Sequence, residues 1–168
     1  CLLLTLLAEC PKGQGVALDI SDKALSTTLM NARNLRLEKH LHPMQGSILN
    51  PQEIADQLKT IDGFEEGLDL LISNPPYIPH GDIQGLSPEV RLFDPVLALD
   101  GGPDGLDFYR ALAILTPLVL KPKGYLVLEI GQGQELEVEK IFQNQGLQKI
   151  QWVQDLSGII RCGVFLKR

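Results

Sequence analysis

Short apolar runs alternate with amphipathic segments along this whole sequence, and that alternation admits essentially one class of architecture. The strand-like runs are Gly15–Asp19, His42–Gln45, Leu68–Ser73 and Tyr125–Ile130. Segments with helical spacing lie around them: Leu2–Glu9, Ser21–Leu35, Asn50–Leu58, Leu106–Leu118 and Glu135–Gln145. Strands separated by helices long enough to cross over build a mostly parallel sheet, so the pattern predicts an α/β domain. Two closing strands, Ile150–Asp155 and Cys162–Leu166, flank a short Ser157-Gly158 turn and predict an antiparallel hairpin. Gly15–Asp19 is expected to be a buried strand, and Tyr125–Ile130 to be entered through the Lys121–Gly124 turn.

Local chemistry sets the element boundaries. Ser21 with Asp22 suits a helix N-cap, Asn50 followed by Pro51 suits a cap with proline at the first helical position, and Gly146 suits a left-handed helix end. Residues 74–105 hold most of the prolines and read as a loop. A loop that long inside a compact domain is usually functional.

Composition narrows the class. The chain has 168 residues, 21 acidic and 15 basic side chains, a net charge of −6 and a pI near 5.0. That length supports one domain with a real core, residues 1–168. No apolar run approaches the ~20 residues a membrane span needs, and branched aliphatic residues are too abundant for disorder. The acidic balance weighs against a nonspecific nucleic-acid binder. Cys1, Cys10 and Cys162 form no CxxC pair, which points away from a zinc site or disulfide framework and toward a reducing, cytoplasmic setting. The apolar opening lacks a starting Met and a basic leader, so it reads as a helix begun upstream, and the chain as a fragment.

The strongest chemical signal is Asn74-Pro75-Pro76-Tyr77, directly after the strand Leu68–Ser73. Ligands of open α/β sheets bind at the carboxyl ends of strands. The prolines fix their own φ, and Pro76 forces Pro75 to be extended, so the tetrapeptide offers rigid carbonyl acceptors, one amide and one aromatic face. That set suits a planar NH₂ group. The Asn74 side-chain oxygen and the Pro75 carbonyl each accept one N–H, while Tyr77 stacks on the plane. Acceptors aimed at both hydrogens favour the positive charge that builds on an attacking nitrogen and fix its line of attack. The alternative is a proline-stiffened turn that only ends a strand.

Ile72–Pro79, with Leu86–Arg91, Ala98–Gly102 and Asp104–Arg110, closely resembles the protein-(glutamine-N5) methyltransferase family that acts on peptide chain release factors. NPPY alone is shared with DNA adenine and other amino-group methyltransferases; the run through DGGPDGLDFYR narrows the match. The resemblance covers essentially the whole chain. It implies a class I S-adenosylmethionine-dependent methyltransferase fold, Rossmann-like, with a seven-stranded sheet whose last strand is antiparallel. It further implies that Asn74, Pro75, Pro76 and Tyr77 hold the substrate glutamine, with Asn74, Pro75 and Tyr77 catalytic. Asn74 would also lie against the cofactor, and transfer would be a direct displacement with no covalent intermediate and no metal. In this family a glycine-rich cofactor loop and the first strand precede the position of Cys1, so the first strand is expected to be missing here and the isolated chain to bind cofactor weakly. A helical domain that helps bind the release factor is likewise expected upstream.

The resemblance extends to the cofactor residues. Asp19, at the end of its strand, suits both ribose hydroxyls, or a plain helix cap. Ile20 would sit near the adenine. Ser47 stands where the family has an acid and either meets the adenine edge or belongs to a surface turn; Ile48 would pack beside it. Gly131-Gln132-Gly133 follows a strand but lacks the third glycine of a dinucleotide fingerprint, so a turn is expected. Glu129 either faces the site or is a buried carboxylate bound to loop backbone. His40 and His42 lack a third ligand, Arg91 and Phe93 are loop residues, Trp152 is core or sheet surface, and Asp104 and Asp107 suit a helix N-terminus.

The leading expectation is methyl transfer to a release-factor glutamine, with no nucleic-acid or membrane partner. The alternatives are methylation of an exocyclic adenine nitrogen, or a binding module without activity.

Overall fold

A computed structural model describes all 168 residues, which divide into two units, Cys1–Asn50 and Pro51–Arg168. The first unit runs α1 (Leu2–Glu9), β1 (Gly15–Asp19), α2 (Asp22–Asn34) and β2 (Leu41–Gln45), with β1 and β2 paired in parallel, Gly15 opposite Leu41 and Asp19 opposite Gln45. Its core is Leu4, Leu7, Ala32 and Leu41, with Leu3, Ala17, Leu29 and Leu37 packed against them. Ser21 caps α2 as expected, its hydroxyl accepting the Ala24 N–H at 3.3 Å.

The second unit contains α3 (Pro51–Leu58), β3 (Leu68–Ser73), α4 (Pro88–Phe93), α5 (Asp107–Val119), β4 (Leu120–Glu129), α6 (Glu135–Gln143), β5 (Leu147–Gln154) and β6 (Ile160–Lys167). Its sheet has the order β3-β4-β6-β5, parallel between β3 and β4 and antiparallel on both sides of β6. The expected closing hairpin is therefore present. Buried Tyr109, Leu112 and Leu115 of α5, Leu126 and Leu128 of β4, Val138 and Phe142 of α6 and Phe165 of β6 form the core. The Phe165 ring centroid lies 4.8 Å from that of Phe142 and 5.7 Å from that of Trp152, the latter pair meeting at a near-perpendicular angle. No helix is long and apolar enough to cross a membrane.

Several details differ from expectation. The strands form two sheets, one of two strands and a mixed one of four, in place of a single sheet of seven, because the chain supplies six strands and β1 and β2 pair only with each other. β1 is not a buried strand: only Gly15 is buried, because β1 has a ladder partner on one side alone. Residues 74–105 are not plain loop, since α4 and two short 3-10 turns, His80–Gly85 and Val96–Ala98, shape them. The Lys121–Gly124 turn is absorbed as a bulge, with Leu68 opposite Leu120 and Leu70 already opposite Tyr125, so β4 begins five residues early. Finally, α6 stops at Gln143, two residues short, while Gly146 adopts the left-handed φ of 79° that the sequence suggested.

Candidate active site

The register of β3 against β4, Ser73 opposite Leu128, brings Asn74 and Glu129 to the same carboxyl edge of the sheet. There Asn74 is exposed, Pro75 is buried, and Pro76 and Tyr77 are half-buried. The segment that follows is stitched to residues 99–102. Ile78 N–H donates to the Leu99 carbonyl at 3.0 Å, Gly101 N–H to the Ile78 carbonyl at 2.8 Å, and His80 N–H to the Gly102 carbonyl at 2.9 Å. Asp107 N–H closes the frame on the Gly101 carbonyl at 3.0 Å, which ties the start of α5 to the same strip.

Tyr77 is gripped at both ends. Its hydroxyl donates to Glu129 Oε1 at 2.9 Å, and its carbonyl accepts the Gln134 side-chain amide at 3.0 Å. Gln134 is itself fixed: its Oε1 accepts the Gly131 N–H at 3.1 Å and lies 3.2 Å from the Tyr109 hydroxyl. That hydroxyl also lies 3.3 Å from the Glu129 carbonyl and accepts from Gly131 N–H. Burial, then the Glu129 hydrogen bond and its charge, push the Tyr77 phenol above its ordinary pKa, and burial does the same to Tyr109. Gly131-Gln132-Gly133 is a turn, as expected, and Gly131 leaves no room for a side chain. A Cβ there would lie 2.5 Å from Gln134 Oε1 and 3.1 Å from the Tyr77 ring.

Neighbouring charges secure the frame. Asp100 accepts from His80 Nδ1 at 2.7 Å and from Gly102 N–H at 2.9 Å, and these bonds hold its carboxyl below the usual range. Arg110 forks onto Asp104 and reaches Asp107, and chiefly the guanidinium lowers the Asp104 pKa. An open depression of about 410 Å³ is lined by His80, Gly81, Asp100, Gly102 and Pro103. A smaller cavity of about 240 Å³, lined in part by Leu58, Phe64 and Lys167, adjoins Gly67 and Leu120 at the opposite, amino end of β3, away from Asn74. Arg91 donates to the Gln84 carbonyl at 3.4 Å, a weak loop contact, and Phe93 is exposed.

In the first unit, Asp19 and Gln45 end adjacent parallel strands, so the residues after them share one edge. Asp19 Oδ1 accepts Ser21 N–H at 2.8 Å, while Ser21 itself caps α2; Asp19 therefore supports the cap without being it. Ile20 is 59% exposed, and its carbonyl accepts the Gln45 side-chain amide at 3.2 Å. Gly46 N–H reaches the Asp19 carbonyl at 3.1 Å. Ser47 lies in a turn, its hydroxyl accepting Leu49 N–H at 3.3 Å and its carbonyl accepting Asn50 N–H at 2.9 Å; Ser47 and Ile48 are half-buried.

Sequence reasoning left Glu129 open and did not find Gln134, Tyr109, Gly101 or Gly105. The glycines had a signal. Gly105 has φ 75°, and a Cβ on it would meet the Tyr77 carbonyl oxygen at 2.5 Å and Gln134 Nε2 at 2.8 Å. Gly133 has a similar φ of 82° with open space around it. Gly133→Ala is thus expected to cost about 1 kcal/mol for its backbone conformation alone, and Gly105→Ala at least about 2 kcal/mol because the Tyr77 frame must also shift. Urea unfolding midpoints of the two variants check this, and equal midpoints would contradict the close packing at Gly105.

No family model matches the chain. A release factor glutamine methyltransferase of Rhodospirillum rubrum is 44% identical over 162 residues, covering 96% of this chain and 46% of that protein. Another, of Caulobacter vibrioides, is 42% identical over 156 residues, covering 93% of this chain and 50% of that protein. The chain spans about half the length of the curated relatives it matches. Among solved structures, a SAM dependent methyltransferase from Aquifex aeolicus superposes with a TM-score of 0.55 at 15% identity, covering 98% of this chain and 76% of that one. This likeness shows the fold, the class I, Rossmann-like methyltransferase architecture expected from the sequence. Over nearly its whole length, the chain is homologous to about half of each of these release factor glutamine methyltransferases.

Proposed function

We propose that residues 1–168 carry the catalytic domain of an S-adenosylmethionine-dependent methyltransferase whose target is a glutamine side-chain amide of a peptide chain release factor. The observation that carries this reading is the Asn74–Tyr77 segment at the carboxyl end of β3, with Asn74 exposed and Tyr77 anchored at both ends. The homology to release factor glutamine methyltransferases supports the choice of substrate.

The donor set of the first unit fits a nucleoside. A carboxylate has about four acceptor positions, and Ser21 takes one of those on Asp19, which leaves acceptors for ribose hydroxyls. Exposed Ile20 offers an apolar surface to a base, and the Ser47 hydroxyl keeps its proton to donate. When bound, S-adenosylmethionine supplies an electrophilic methyl group on a sulfonium.

The remaining work belongs to the chain. An amide nitrogen is a weak nucleophile because its lone pair is delocalised into the carbonyl. Asn74 and the Pro75 carbonyl accept its two N–H groups, stabilise the positive charge that grows on nitrogen and aim the lone pair. Tyr77 covers the amide plane. The net charge of −6 favours a protein over a nucleic-acid partner, and three free cysteines suit a reducing cytoplasm.

A tritium-transfer assay tests the reading with three acceptors: a release factor, its Gln→Ala variant in the Gly-Gly-Gln loop, and duplex DNA. Label is expected on the unaltered factor alone. Label on DNA, or label that survives the alanine change, would overturn the substrate assignment.

A further inference from the structure

We propose that Glu129, the last residue of β4, and Gln134, the N-cap residue of α6, are positioning residues that fix the Tyr77 ring beside the Asn74 and Pro75 acceptors before any substrate arrives. The inference rests on the reading of Asn74–Tyr77 as the amide-binding segment.

Pro76 sets the backbone entering Tyr77, and Gln134 pins the carbonyl leaving it at 3.0 Å. The side chain still has two free torsions. The Glu129 contact at 2.9 Å removes them by tying down the far end of the ring. A carboxylate only accepts, so the phenol must donate to it, and a charge-assisted bond of this kind is stronger than a neutral one. Its hydroxyl so committed, Tyr77 offers a substrate its aromatic face. The anchors are themselves immobile: Tyr109, fully buried, and Gly131 hold Gln134, while Glu129 lies in register with Cys162 of β6. Ordering the ring in advance removes a cost that would otherwise fall on the transition state.

The test compares Glu129→Ala, Glu129→Gln, Tyr77→Phe and the double variant Glu129→Ala/Tyr77→Phe with the unsubstituted chain. It reads kcat and KM on release factor, and the ring ¹³Cζ resonance of Tyr77, assigned by its loss in Tyr77→Phe. Glu129→Ala and Tyr77→Phe are each expected to lower kcat by about ten- to a hundredfold, the range for losing a hydrogen bond to a charged group. KM should change less than about threefold, and the double variant should match a single one because the two residues act as a unit. Glu129→Gln keeps an acceptor oxygen and should restore kcat to within about threefold. The Tyr77 resonance should shift in Glu129→Ala, with its phenol titrating at lower pH than in the unsubstituted chain.

Additive losses, full activity of Glu129→Ala, or an unmoved Tyr77 resonance would overturn the proposal. The two readings fail separately. A chain that transfers no methyl group yet shows the resonance shift retains the brace and loses the substrate assignment. Normal transfer with an unmoved resonance does the reverse.

Discussion

Asn74→Ala is expected to lower the rate of methyl transfer to a glutamine amide by about 10²- to 10³-fold, the loss typical when one preorganised group that stabilises transition-state charge is removed. Asn74 is the side chain of the tetrapeptide that is exposed at the strand end, immediately after Ser73 has paired with Leu128. In the proposed function its neighbours supply rigidity, and Asn74 supplies the acceptor. Because the side chain is exposed, thermal stability should change by no more than about 0.5 kcal/mol, so the rate falls without loss of folded protein. Asn74→Asp sharpens the result. It keeps acceptor oxygens and loses the NH₂ donor, so activity above the alanine variant would assign the role to acceptance. Single-turnover rates at saturating cofactor, read beside melting curves, provide the measurement. A rate within about threefold of the unsubstituted chain would remove Asn74 from the chemistry.

What the sequence disclosed follows the range of the interactions involved. Strands and helices came from local periodicity, and α2 began where Ser21 said it should, because capping acts within three residues. Asn74–Tyr77 stood out because two adjacent prolines after an apolar strand are locally unusual. The frame around Tyr77 was not legible, since its partners Glu129 and Gln134 lie 52 and 57 residues away and no local pattern reports a pairing over that distance. Gln134 was hidden for a second reason. It sits at the N-cap of α6, where a polar side chain ordinarily serves the helix, yet it makes no cap bond there and reaches across to Tyr77. Asp19 shows the opposite case: an acid at a strand end suggested ribose binding or capping, and its bond to Ser21 N–H is a local contact that leaves the ribose role to experiment.

The largest stability effect is expected from Phe165→Ala, at about 3–5 kcal/mol. Phe165 is fully buried on β6, the one strand of its sheet with antiparallel partners on both sides, opposite Leu126 on one side and Lys149 on the other. Its ring packs on Phe142 from α6 and meets Trp152 from β5 at a near-perpendicular angle, so truncation opens a cavity bounded by three elements. Relaxation into that cavity is restricted. Gly163 already lies against Trp152, where a Cβ would sit 2.5 Å from the indole, so the indole has little freedom to refill the space. Against a domain stability of about 5–15 kcal/mol this loss is about a fifth or more of the total. The chain's single tryptophan is Trp152, so urea unfolding followed by its fluorescence reads the event where it occurs. Phe93→Ala is the control: that ring is 82% exposed, and its removal should change stability by no more than about 0.5 kcal/mol. A Phe165→Ala loss below about 1 kcal/mol would mean that β4, β5 and β6 close over the gap, contrary to the packing around Phe165.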